Sequence, residues 1–213
     1  MRLTILALTL LLPLAVAAQD IDKINGTASV EAGEHVGNVR SVNGSVNIGD
    51  GAVVEDASTV NGTVELGEKA HANALHTVNG AITLAANSQV RGEVKSTNGA
   101  ISLDPGAEVT EGVANVNGRI TLNHAHVAGG IETTSGDIIV GENSRVEGGI
   151  LVNEASRYGW NRQERKPHIV IGPHAIVRGT LEFRREVVLE VSSSAQIGPV
   201  KGATPQTFGG SMP

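Results

Sequence analysis

Val42-Asn43-Gly44-Ser45-Val46-Asn47-Ile48-Gly49-Asp50-Gly51-Ala52-Val53-Val54-Glu55-Asp56-Ala57-Ser58-Thr59-Val60-Asn61-Gly62 begins and ends on the same tripeptide, Val-Asn-Gly, eighteen residues apart. Apolar or small side chains recur within it and beyond at alternating gaps of two and four: Val42, Val46, Ile48, Ala52, Val54, Ser58, Val60, Val64, Leu66, Ala70 and Ala72. A gap of two puts both side chains on one face of a strand, and a gap of four leaves three residues to turn a corner. Nothing recurs at i, i+3, i+4 and i+7, so the pattern is not helical. Three short strands and three corners per unit, with no hairpin or crossover helix between units, must coil so that each rung pairs in parallel with the next.

The unit repeats along most of the chain. Asn precedes Gly at Asn25, Asn43, Asn61, Asn79, Asn98 and Asn117; the series continues at Ser135-Gly136 and ends at Asn153-Glu154, always at a gap of 18 or 19 residues. Such self-similarity at a fixed short period marks a solenoid. The expected fold is all-β, a three-sided parallel β-helix of about nine rungs, on the order of 45 Å long at about 4.8 Å per rung. The spacing by itself fits either hand of coil. Asn-Gly supplies the positive φ of a tight corner. Held in one register, Asn25, Asn43, Asn61, Asn79, Asn98, Asn117 and Asn153 are expected to bond their amides from rung to rung as a structural ladder.

Three irregularities modify the pattern. The 19-residue copies place an extra corner residue near Lys95-Ser96 and Ala114-Asn115, and Leu122-Asn123-His124-Ala125-His126-Val127 reads as a shortened corner. Thr59, Thr77, Ser96, Asn115 and Thr133 supply one small polar residue per rung and read as an outward row of β-formers on a flat face.

Composition agrees with a thin rod. Of 213 residues 40% are hydrophobic but only 2% aromatic, so the core has to be built from Val, Ile, Leu and Ala instead of large rings. The absence of Cys excludes a disulfide framework, thiolate metal sites and a thiol nucleophile. Residues 1–18 combine Arg2, an apolar run from Leu3 to Leu14 and the small-residue pattern Ala15-Val16-Ala17-Ala18, which reads as a cleaved secretory signal peptide. That run is shorter than the roughly 20 residues of a membrane span, and the mature chain offers no other. The expected organisation is a signal peptide over 1–18, the β-helix over 19–200 and a C-terminal cap or tail over 201–213. The expected location is the periplasm or beyond.

After Asn153 the regular corner gives way to residues 154–168, after which Ile169 and Ile171, Ala175 and Val177, and Leu181 and Phe183 resume the pattern. The insertion therefore sits on the Asn-bearing edge. It holds the only Tyr and Trp of the chain, with a cluster of cations; Arg184 and Arg185 occupy the same edge one rung later. Arg157, Tyr158, Trp160, Arg162, Arg165, Arg184 and Arg185 form the candidate binding surface, because rings and guanidinium groups stack on sugars and pair with phosphate or carboxylate. A flap that merely packs against the rod is the alternative. Charge is divided in the same sense. Residues 19–153 carry seven Lys or Arg against seventeen Asp or Glu, whereas residues 154–213 carry eight against five. An acidic flank and a basic end suit head-to-tail self-association or contact with an anionic envelope polysaccharide.

No catalytic constellation emerges, and no cofactor or nucleic acid is implied. His124 and His126, or His71 and His76, invite a metal reading, but neighbouring rungs place Gln89, Glu108 and Arg145 where a third ligand would stand. Asp50, Asp56, Asp104 and Asp137 do not repeat in register, unlike the clustered calcium-binding Asp of pectate-lyase-like helices.

Small residue, x, Val, x, Gly, x, Val/Ile recurs in Ser88–Val94, Ser144–Ile150 and Ala175–Leu181. This pattern resembles bactofilins, polymer-forming right-handed triangular β-helices that assemble end to end without nucleotide; with the Asn ladder, the resemblance favours the right-handed coil. The Val-Asn-Gly-x-Ile and Thr-Ser-Gly-Asp-Ile pieces resemble the putative-adhesin β-solenoids. The hexads Ile48–Val53 and Leu66–His71 look like those of hexapeptide-repeat acyltransferases, but no residue matches the His those enzymes use. Bactofilins are cytosolic, so the export signal argues against a cytoskeletal role here. The expectation is an exported, non-enzymatic structural or adhesive module of the bacterial envelope. The alternative is a hexapeptide-repeat-like acyltransferase or a polysaccharide-acting β-helix enzyme.

Overall fold

The structure is a computed structural model that describes residues 19–154 and 165–212. Residues 1–18, expected to be a signal peptide, therefore lie outside the described residues. Every regular element among the described residues is a strand, and none is a helix. The strands form three parallel sheets, two of ten strands and a narrower one of seven, coiling as a β-solenoid of about nine turns.

Register is strict because each sheet buries one face. On the first face Val39, Ala57, Leu75, Val94, Val113, Ile131, Ile150 and Leu181 lie side by side. On the second, Val46, Val64, Ile82, Ile101, Ile120, Ile138, Ile169 and Leu189 do so. The narrow third face stacks Ala72, Val90, Val109, Val127, Val146 and Val177. Beside that column stands another of Ala70, Ser88, Ala107, Ala125, Ser144 and Ala175, all buried. Only Ala and Ser occupy it, so that corner of the core is narrow. The inserted segment leaves no mark on pairing: Ile138 sits opposite Ile169 and Val140 opposite Ile171.

The first face differs from the expected register. Its inward pairs are Val39 and Ser41, Ala57 and Thr59, and Leu75 and Thr77, while Val42, Val60, Val78 and Val116 are 40–42% exposed. The row Thr59, Thr77, Ser96, Asn115 and Thr133, expected to point outward, is buried. The cause lies in the corners, which are unequal. In the early rungs Glu55 and Asp56 alone separate the inward Val54 and Ala57, whereas Val60 to Thr63 separate Thr59 and Val64. Assuming three residues at every corner slips this strand by one position, and a one-residue slip turns every side chain over. The same corner holds the extra residue of the 19-residue copies, at Arg91-Gly92-Glu93 and Thr110-Glu111-Gly112, while Lys95-Ser96 and Ala114-Asn115 are in strands. The shortened corner is Asn123-His124, with His124 at φ 47°.

Two polar ladders line the Asn-Gly corner. Outside, each Asn side-chain amide donates to the Asn carbonyl oxygen one rung earlier: Asn43 to Asn25 at 3.3 Å, Asn61 to Asn43 at 3.0 Å, Asn79 to Asn61 at 2.9 Å, Asn98 to Asn79 at 3.1 Å and Asn117 to Asn98 at 2.9 Å. Inside, the buried hydroxyls donate to the preceding corner glycine: Ser41 to the Gly26 carbonyl at 3.1 Å, Thr59 to Gly44 at 2.8 Å, Thr77 to Gly62 at 3.1 Å and Ser96 to Gly80 at 3.1 Å. Asn115 extends the inner ladder to Gly99 at 3.3 Å, and Thr133 donates to Asn115 Oδ1 at 2.6 Å. A buried carbonyl without a partner costs about 1–3 kcal/mol, which is why the inward residue here carries a donor.

The need for glycine at this corner is steric. A Cβ on Gly62 would stand 2.2 Å from the Gly44 carbonyl oxygen, one on Gly99 1.7 Å from that of Gly80, and one on Gly136 2.0 Å from that of Gly118. Positive φ, the expected reason, holds at Gly26 (φ 93°) and Gly118 (φ 116°) but not at Gly62, Gly99 or Gly136, where close stacking of successive coils suffices.

Gly99→Ala is expected to destabilise the rod by about 3 kcal/mol or more through overpacking against backbone. Gly209→Ala, whose Cβ meets open space, should stay within about 0.5 kcal/mol. Thr59→Val should cost about 1–3 kcal/mol by orphaning the Gly44 carbonyl. Urea unfolding followed by far-UV circular dichroism measures all three.

Candidate functional site

The outer ladder stops where the sequence changes. Ser135 replaces Asn at the corner, and the position two residues on, occupied by Thr27, Ser45, Thr63, Ala81, Ala100 and Arg119 in earlier coils, becomes Asp137. Asp137 carries the base of the inserted segment. Its side chain is only 8% exposed. One carboxylate oxygen, Oδ2, accepts from Arg165 Nη2 at 2.6 Å, with Arg119 Nη2 3.7 Å away. The other, Oδ1, accepts the backbone N–H of His168 at 2.9 Å. Burial raises the carboxyl's pKa, but the Arg165 hydrogen bond, the His168 N–H and the charges of Arg165 and Arg119 outweigh it and hold it below the ordinary Asp value.

The other cations of the basic end are also placed by partners. Arg185 Nη1 donates to the Thr134 carbonyl at 3.2 Å and to Ser135 Oγ at 3.3 Å, so it bridges back across the loop-bearing rung. Arg184 Nε donates to Glu182 Oε1 at 2.7 Å, and its Nη1 to Asn153 Oδ1 at 3.4 Å. Lys166 pairs with Glu186 at 2.8 Å, and His168 Nε2 with Glu190 Oε2 at 2.9 Å. Asn153, expected in the amide ladder, instead donates to Glu132 Oε1 at 2.6 Å. With Ser135 in the rung below, it has no Asn to reach, so the ladder runs from Asn25 to Asn117 only. Arg157, Tyr158, Trp160 and Arg162 lie outside the described residues. Of the seven residues expected to form the binding surface, Arg165, Arg184 and Arg185 are therefore placed, all on one edge. Asp137, which organises that edge, was not among them; its signal is being the only acid at a position otherwise small or basic.

A hollow of about 520 Å³ opens beside this carboxylate. Ala100, Gly118, Ser135 and Gly136 line it at the corner, Ser102 and Thr121 line it from the adjoining face, and Arg119 and Arg165 complete it. A second hollow, of about 470 Å³, lies at another corner, where Gly112, Gly130 and Gly149 leave bare backbone between Glu93, Glu111, Glu132 and Glu182. The two hollows thus differ in sign.

The histidines do not converge. His124 Nδ1 lies 2.8 Å from Asn123 Oδ1 at its corner, whereas His126 stands on the narrow face between Glu108, 3.3 Å from Nδ1, and Glu147, 3.7 Å from Nε2. Glu147 is itself engaged by Arg145 and, at 3.0 Å, by Arg178. The Arg145 hydrogen bond leads in holding its pKa down. Among the described residues no group of three or more His, Asp or Glu is arranged to hold a metal ion.

Because the folded pKa of Asp137 is depressed, its contribution is present above the unfolded value of about 3.9 and is lost as pH falls through the lower folded value. Asp137→Asn should therefore cost roughly 1–3 kcal/mol near neutrality. The gap in melting temperature between parent and variant should hold from neutrality to about pH 4 and close below it. A gap independent of pH would show that the carboxylate charge does not carry the stabilisation. No protein family, curated protein or solved structure matches the chain.

Proposed function

We propose that the chain is an exported, non-enzymatic β-solenoid of the bacterial cell envelope, a structural or adhesive module that holds an anionic envelope polysaccharide along its insertion-bearing edge. The observation that carries this reading is the gathering of guanidinium groups, Arg119, Arg165, Arg184 and Arg185, around the point where the Asn ladder ends. Most of the remaining rod is acidic. Guanidinium forks on a rigid sheet edge suit an extended polyanion, because the scaffold has already fixed their spacing and little ordering entropy remains to be lost on binding.

Self-association belongs to the same proposal. Among the described residues, strands Ile21–Asn25 and Ala28–Val30 at one end, and Val200–Lys201 and Gln206–Phe208 at the other, each pair on one side only. Parallel edges of this kind accept further strands, and the resemblance to bactofilins points to rung-end stacking.

Co-sedimentation of the purified chain with peptidoglycan, with lipopolysaccharide vesicles and alone at rising concentration tests the proposal. Retention on an anionic polymer that weakens as salt is raised is the expected result, as is a sedimenting species that grows with concentration. A chain that stays monomeric and in the supernatant in every arm would overturn it.

A further inference from the structure

We propose that the hollow beside Asp137 is a seat for the carboxylate of an acidic sugar, of the uronic-acid kind. This deepens the polysaccharide-binding proposal and rests on it for the polymer to which such a sugar would belong.

The charge count at the hollow does not close by itself. Among the described residues Asp137 is the one carboxylate lining it, against two guanidiniums, and both oxygens of that carboxylate are occupied. Each guanidinium carries five N–H donors, more than one shared carboxylate oxygen takes up. Their side chains are 58% and 68% exposed, so the remaining donors face the hollow and solvent. Among the described lining residues one positive charge is left over. That balances a carboxylate, which carries one negative charge, better than a phosphate monoester, which carries about 1.5 to 2. The planar fork of a guanidinium also matches the two oxygens of a carboxylate.

The rest of the hollow suits a sugar ring. Three of its lining residues, Ala100, Gly118 and Gly136, carry at most a methyl side chain. Ser102 and Thr121 lie directly opposite each other on neighbouring strands and present two hydroxyls at rung spacing. Those hydroxyls donate to or accept from ring hydroxyls, a neutral contact that complements the ionic one. The volume, about 520 Å³, falls within the roughly 300–1,000 Å³ of small-ligand sites. Asp137 positions Arg165 and Arg119 and does not itself touch the sugar.

Isothermal titration of the purified full chain with trigalacturonate tests the seat, with inorganic phosphate and neutral maltotriose as comparison arms. Trigalacturonate should bind, with phosphate and maltotriose weaker by roughly tenfold or more. Arg119→Ala should lower the trigalacturonate affinity by about the same factor, and Arg119→Lys should fall between, because it keeps the charge and loses the fork. The melting temperature of Arg119→Ala should stay close to the parent's, since the Arg119 end of the pair is exposed, the separation is long and Arg165 still meets Asp137. Parent affinity in Arg119→Ala, equal binding of phosphate, or no binding of trigalacturonate would each overturn the proposal. Sedimentation with envelope polymer separates the two claims. Polymer retention that Arg119→Ala leaves unchanged overturns the seat alone, whereas trigalacturonate binding without polymer retention overturns the polysaccharide reading alone.

Discussion

Successive coils are held about 4.8 Å apart by parallel backbone hydrogen bonds, and every other feature of the rod answers to that spacing. Where the chain turns at Asn-Gly, one coil's glycine lies directly over the next, with no room for a Cβ. The carbonyl beneath has to be met from the coil above, which places Ser, Thr or Asn at the inward position of the preceding strand. The same spacing brings the Asn amides within hydrogen-bonding range outside the corner. Sterics, polar satisfaction and side-chain choice are therefore consequences of one repeat distance.

A core governed in this way does not use large rings. Aliphatic side chains one coil apart touch their own counterparts, so columns of Val, Ile and Leu run along all three faces and a column of Ala or Ser closes the narrow corner beside the third. Phe183 is the sole buried aromatic among the described residues, near the C-terminal end, where the columns finish. Each coil contacts mainly its two neighbours, so stability is close to a sum of coil and interface contributions.

The architecture was legible in the chain because periodicity survives substitution. Asn43, Asn61 and Asn79 recur whatever lies between them, and the strands of the second and third faces follow directly from gaps of two and four. On the first face hydropathy misleads, because Val42, Val60 and Val78 are apolar while Thr59 and Thr77 are polar, and hydropathy alone assigns the first set inward. The hydroxyls win because each has a buried carbonyl to satisfy, a demand that becomes visible only when two coils are stacked. Arg165, Arg184 and Arg185 stand out in the sequence through their charge and their place beside the insertion. Asp137 does not, because a single acid carries no periodic signal and its importance comes from His168, Arg165 and Arg119 meeting around it in space.

The insertion after Asn153 shows how little a coil needs from its corner. Ile138 and Ile169 sit as neighbours in the sheet although thirty-one residues separate them along the chain, and pairing on both sides continues without adjustment. The entropy of closing such a segment rises only slowly with its length. A foreign epitope or a small folded domain spliced between Glu154 and Arg165 would be displayed at a fixed height and azimuth on a stiff mast, which makes this chain a ruler on which cargo is hung at a chosen coil.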